Sequence, residues 1–288
     1  MSFPYLSDLV HTVFGVDLPL PIPMFGLMVG LAFFAGLKVA TLEVKRLLPA
    51  QPANFMDNVG LIAFLTGLAG ARLFHLLEHP HEFMANPMGM LFSRGGFTIF
   101  GGLIVGTAAG LFYSRAKRAP IAPLLDAVAP AIMLAYAIGR IGCQISGDGD
   151  WGIAADLAAK PDWLPTWFWA QTYEGNIAGI DIPSPGVYPT PIYETVMSLI
   201  AFAVLWRLRK HSHAPGWLFC VYLLLVGIER LLVESIRVNT TYHFAGLVFT
   251  QAQLIATVFV IAGCLGMWWL ARSRPNGEPR TTPPAPTP

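Results

Sequence analysis

Arg230, Glu234 and Arg237 fall at i, i+4 and i+7, a spacing that sets all three side chains on one face of a helix. The residues around them are apolar, as are those around Arg72, Arg140 and Glu194. A charge inside lipid is costly and tends to be kept for function, so these six residues are where chemistry is expected. The three arginines Arg72, Arg140 and Arg230 against the carboxylates Glu194 and Glu234 already leave excess positive charge, which an anionic ligand would balance. Guanidinium suits phosphate because its planar fork donates two parallel hydrogen bonds, and the phosphate nearest to a membrane protein is a phospholipid headgroup. A purely structural reading stands beside this one: Arg230 with Glu234, and Arg72 or Arg140 with Glu194, would pair to pin helices together.

Glycine marks the same level of the chain. The run Arg94-Gly-Gly-Phe-Thr-Ile-Phe-Gly-Gly102 holds two Gly pairs where the chain re-enters the membrane. Gly101 and Gly102 would let backbone N–H groups approach an anion at a helix N-terminus, or let two helices pack closely.

The elements that must carry these residues are set by composition. Of 288 residues 55% are hydrophobic and 12% charged, with a mean hydropathy of +0.56, which excludes a soluble globular domain. A spanning helix needs about 20 mostly apolar residues, and seven stretches qualify: roughly 22–42, 57–77, 97–114, 123–143, 191–207, 216–236 and 251–271. The fold class is thus an all-α integral membrane protein, with residues 1–271 as one polytopic domain. Residues 1–21 carry no Lys or Arg, so the first span is expected to be retained rather than removed as a signal. The linkers after spans 1, 3 and 5 and the C-terminal segment hold eleven Lys and Arg, the opposite linkers only Arg94, Lys160 and Arg237. Basic residues favour the cytoplasm, which puts the N-terminus outside, the C-terminus inside and all six charged residues toward the outer leaflet. The only long connection, 144–190, is an outer-face head loop whose stretch Trp163-Leu-Pro-Thr-Trp-Phe-Trp169 suits the headgroup boundary. Residues 272–288, rich in Pro and Thr, are expected to form a disordered cytoplasmic tail. The odd cysteine count, Cys143, Cys220 and Cys264, argues against a disulfide framework.

The segment Gly139-Arg-Ile-Gly-Cys-Gln-Ile-Ser-Gly-Asp-Gly-Asp-Trp-Gly152 resembles the signature of the bacterial prolipoprotein diacylglyceryl transferases, roughly Gly-Arg-x-Gly-Asn-x-x-Asn-Gly-Glu-x-Trp-Gly. Five further blocks follow the family in order: Phe25-Gly-Leu-Met28, Gly70-Ala-Arg-Leu73, Gly101-Gly-Leu-Ile104, Tyr188-Pro-Thr-Pro-Ile-Tyr-Glu194 and Arg230-Leu-Leu-Val-Glu-Ser-Ile-Arg237. The resemblance implies a multi-pass enzyme of the bacterial cytoplasmic membrane that moves the diacylglyceryl group of phosphatidylglycerol to the lipobox cysteine thiol of a prolipoprotein signal peptide, releasing glycerol phosphate. It implies Arg140, Arg230 and Glu234 as catalytic residues. Phosphatidylglycerol would be bound by Arg72, Gly101, Gly102, Arg140, Cys143, Ser146, Gly147, Asp148, Gly152, Tyr193, Glu194 and Arg237. Membrane lipids are partners; no metal, cofactor or nucleic acid is expected.

The chain departs from the family at five places. Phe100 replaces its His, Cys143 and Ser146 its two Asn, Phe25 its Tyr, and Asp148 its Glu with one extra residue before Trp151. Since Phe100 cannot accept the thiol proton, either excess positive charge lowers the thiol pKa or another base serves, the candidates being His75, His243, Asp148 and Glu234. The electrostatic route is the expectation. Cys143 is expected to fill space rather than act as a nucleophile. Two rivals stay open: a phospholipid-binding scaffold without catalysis, and an anion or lipid transporter.

Overall fold

The computed structural model describes residues 2–91, 93, 96, 98–244 and 247–272. Arg94 and Gly95 of the glycine run and the expected tail from residue 273 onward lie outside the described residues. A short α1 (Leu6–Phe14) precedes α2 (Met24–Leu47) and α3 (Phe55–Glu78); two short helices, α4 (Pro80–Ala85) and α5 (Pro87–Leu91), lead to α6 (Ile99–Ala116) and α7 (Ile121–Ser146). The head loop carries one turn of helix, α8 (Thr166–Trp169), before α9 (Thr190–Leu208) and α10 (Trp217–Glu234). An antiparallel hairpin, β1 (Thr241–Phe244) and β2 (Leu247–Thr250), then joins α11 (Gln251–Arg272).

Helix forms over all seven expected stretches. Six of them, α2, α3, α6, α7, α9 and α11, are long and apolar enough to cross a membrane. The seventh, α10, has 18 residues but carries Glu229, Arg230 and Glu234 among them. Local sequence sets the boundaries: Pro191 sits in the first turn of α9, where a missing N–H costs nothing, and Gly147 at φ +61 ends α7 in the left-handed region. Side chains on the outside of the bundle are apolar. On α11 Leu254, Ile261, Leu265 and Trp269 are all exposed, while only Ala256 and Gly263 are buried, the inverse of a water-facing helix.

Helix α2 packs on α7, α3 on α6, α10 on α11, and α9 on α7 and α10. The α3–α6 contact is glycine-made: a Cβ on Gly70 would lie 2.6 Å from the Gly101 carbonyl oxygen, and one on Gly101 would lie 2.4 Å from that of Gly70. The backbone N–H groups of Ser2 and Phe3 donate to the carbonyls of Glu174 and Ile145, so the N-terminus and the head loop lie at the same end of the bundle.

Two buried acids, not weighed in the sequence, hold the opposite end. Glu43, with no exposure, pairs with Arg46 at 2.5 Å and with Arg209, whose guanidinium stacks on Trp206. Asp126 of α7 caps α10 by accepting from the N–H groups of Gly216 and Phe219 at 2.7 and 2.8 Å.

Candidate active site

The head loop returns to the bundle as short backbone pairings. Gly152 bridges Arg237 at the end of α10, the Ile153 N–H donates to the Ile236 carbonyl at 2.8 Å, and Thr190 Oγ1 donates to the Asp150 carbonyl at 2.7 Å. A Cβ at Gly152 would lie 2.5 Å from the Ile236 oxygen, so this approach requires glycine. These contacts fix Asp150 above the ends of α7 and α10.

Asp150 completes a network drawn from three helices. The guanidinium of Arg140 (α7) pairs with both Asp150 and Glu194 (α9). Arg237 pairs with Asp150 at 2.8 Å and Glu194 at 3.4 Å. Arg230 (α10) pairs with Glu234 at 2.8 Å, one turn along its own helix, and with Glu194 at 3.5 Å. Tyr136 Oη donates to Glu194 at 3.1 Å, and its ring lies 5.5 Å from the Arg140 guanidinium. Burial raises the Asp150 carboxyl, but Arg140 and Arg237 more than offset this and hold it below the usual carboxylate range. Three guanidiniums therefore face three carboxylates, and the excess positive charge expected from the sequence is cancelled by Asp150, which comes from the loop rather than a helix.

Beside the network lies a cavity of about 490 Å³. Its wall includes Phe100 of α6, Tyr136, Glu194, and Glu229, Arg230 and Glu234 of α10; Asn239, the hairpin and α11 close the far side. Arg230 is the most open arginine of the network, its side chain 29% exposed against 9% for Arg140 and 10% for Arg237. Glu234 accepts from Thr250 Oγ1 at 2.5 Å and Asn239 Nδ2 at 2.7 Å, which ties the hairpin to α10. Mostly apolar walls with a guanidinium and three carboxylates suit an amphipathic ligand, one with a charged group and hydrocarbon.

The sequence profile described as "Prolipoprotein diacylglyceryl transferase" matches residues 11–269. The chain belongs to that family. Relatives named phosphatidylglycerol--prolipoprotein diacylglyceryl transferase include that of Parasynechococcus marenigrum, 29% identical over 88% of this chain and 91% of its own. That of Clostridioides difficile is 28% identical over 94% and 98%. That of Bacillus cytotoxicus is 33% identical over 77% and 79%.

Of the positions matched to the family motif, the structure brings Arg140, Glu194, Arg230, Glu234 and Arg237 into one network. Cys143 and Asp148 flank it: Arg140 Nη1 lies 3.5 Å from Cys143 Sγ, and Asp148 accepts from the Asp150 N–H at 3.2 Å. Gly147 and Gly152 shape the loop. Ser146 is fully buried and donates to the Gly142 carbonyl at 2.8 Å, and Tyr193 Oη donates to the Phe168 carbonyl at 2.7 Å, so both hydroxyls are engaged within the protein. Gly101 and Gly102 face α3, which favours the packing reading of this motif. Arg72 donates to the carbonyls of Met90, Leu91, Ser93 and Gly96, holding the segment before α6.

The sequence reading passed over Asp150, Glu229 and Tyr136. The extra residue that this chain carries before Trp151, relative to the family signature, is the available signal for Asp150, since it offers two acids, Asp148 and Asp150, for one motif position. His75 lies against Gly96 with its ring tilted against that of His79, and neither His75 nor His243 is part of the cavity wall among the described residues.

Proposed function

We propose that this chain transfers the diacylglyceryl group of phosphatidylglycerol to the lipobox cysteine thiol of prolipoproteins, forming a thioether and releasing glycerol phosphate. The observation that carries the reading is a partly open guanidinium, Arg230, in the wall of a largely apolar cavity, in a chain that belongs to this family over residues 11–269. Arg230 meets the phosphodiester and the charge that grows on the leaving phosphate, as preorganised cations do. Glu234 orients Arg230. Arg140 stands behind Glu194 and holds the head loop through Asp150; Arg237 and Asp148 line the outer mouth, where the cysteine arrives.

The bulk of Lys and Arg at the opposite end supports an outward-facing site in a bacterial cytoplasmic membrane. Membership of a transferase family over residues 11–269 favours an enzyme over a transporter. Purified protein, phosphatidylglycerol vesicles and a lipobox peptide test the reading. A mass gain of one diacylglyceryl group is expected on the cysteine peptide, none on its Cys→Ser counterpart, and little with phosphatidylethanolamine as donor. Equal transfer from both lipids would remove the headgroup assignment.

A further inference from the structure

The reaction needs a place for the thiol proton, because a thiol with an ordinary pKa near 8.5 is a poor nucleophile until ionised. Phe100, in the cavity wall, cannot take it, and balanced charge around Asp150 removes the electrostatic premise. Of the three carboxylates in that wall, Glu194 is engaged by Arg140, Arg230, Arg237 and Tyr136, and Glu234 by Arg230, Thr250 and Asn239. Glu229 is different. It is 5% exposed, its Oε1 accepts from Ser198 Oγ at 2.7 Å, and its Oε2 is buried with no hydrogen-bond partner among the described residues. Ser198 lies one turn beyond Glu194 on α9, so the face of α9 that carries Glu194 also holds Glu229 of α10 through the Ser198 hydroxyl.

We propose that Glu229 is the proton acceptor for the substrate thiol. The inference rests on the transferase reading above. The S–H bond breaks and its proton passes to Glu229 Oε2; the thiolate pair forms the C–S bond at the glyceryl carbon. The C–O bond to phosphate breaks with its electrons going to the leaving glycerol phosphate, opposite Arg230. Glu229 then returns the proton to that phosphate or to water. The charged groups around it are Arg230 on its own helix, Glu194 on α9 and Arg140 on α7, with the Tyr136 and Tyr222 hydroxyls nearby.

Full-length wild type, Glu229→Gln and Glu229→Asp are assayed with phosphatidylglycerol vesicles and a lipobox peptide from about pH 6 to 9.5, with thermal melts to report folding. At pH 7 Glu229→Gln is expected to lose about 10²–10⁴ in rate, the range for a positioned general base. The deficit should narrow at least about tenfold above the ordinary thiol pKa, where the nucleophile ionises unaided. Glu229→Asp should keep more activity than Glu229→Gln. A Glu229→Gln rate within about threefold of wild type, or a deficit equal at every pH, overturns the proposal. Should Glu229→Gln fail to fold, Glu229→Asp decides: a deficit that narrows with pH supports the role, and one that does not overturns it. A wild type without product at any pH overturns the transferase reading, and the proposal with it.

Discussion

Asp150 Oδ1 lies 2.8 Å from Arg237 Nη2, joining the head loop to the end of α10 across 87 positions of sequence. The other carboxylate oxygen of Asp150 meets Arg140, so one loop residue ties α7 to α10. Asp150→Asn keeps the shape but removes the charge from both guanidiniums, and is expected to lower transfer at least about tenfold. Asp148→Asn, one hydrogen bond away, should cost less. Transfer assays on both variants measure the contrast, and a larger loss for Asp148→Asn would misplace the network's third carboxylate.

The same contact has a pH signature. Asp150 is held below the ordinary carboxylate range, so its contribution to stability is complete above that range and lost as pH falls through the depressed value. The difference in melting temperature between wild type and Asp150→Asn should stay constant from about pH 8 to 5 and shrink below about pH 4. A difference that shrinks on raising the pH would have the wrong sign for this pairing.

The helices were legible in the sequence because lipid imposes one simple demand, a run of apolar residues long enough to cross it. Five of the network residues were legible for the related reason that charges stand out in such runs. Asp150 was not, because its role depends on where the long loop between α7 and α9 folds back, and the Gly152–Arg237 bridge that decides this leaves no periodic trace. Glu229 was hidden differently. It adjoins Arg230 but lies off the α10 face shared by Arg230 and Glu234, and only the packing of α9 brings Ser198 to it. Arg237, expected on that same face, lies beyond the end of the helix in the bridge to Gly152. The β1–β2 hairpin escaped notice inside a short connection.

Arg140→Lys keeps one positive charge but loses the fork that meets Asp150 and Glu194 together. We expect at least a tenfold loss of transfer. Arg140→Ala would in addition remove one charged partner of Glu194, which has 1% exposure and keeps Arg230, Arg237 and Tyr136, and is expected to lower the melting temperature as well. Wild-type turnover by Arg140→Lys would show that the two-pronged contact is dispensable.

Cys143 is buried against Arg140, and its position carries Asn in the family signature, so Cys143→Ser should retain activity within about tenfold. His75→Ala and His243→Ala should do the same, well short of the ~10²–10⁴ attached to a general base. Abolished transfer in a folded histidine variant would make that histidine the base and displace Glu229.

Sidedness is open to a direct test. Reporter fusions after Lys117 and after Lys210 should read cytoplasmic, and one near Gly175 external, because the Ser2–Glu174 contact puts the N-terminus and head loop at one end and the Lys- and Arg-rich linkers at the other. An external signal at Lys117 would turn the site to the cytoplasm.

The central claim is that a lipid is cleaved and a thiol alkylated in one reaction at the Arg230 cavity. The measurement closest to it follows, in a single incubation of purified full-length protein, the thioether peptide by mass and the glycerol phosphate released. The two products should appear in equal amounts from wild type, and fall together in Arg230→Ala while that variant still folds. Phosphatidylglycerol bound by a folded wild type with neither product formed would contradict the account and leave the non-catalytic lipid-binding scaffold in its place.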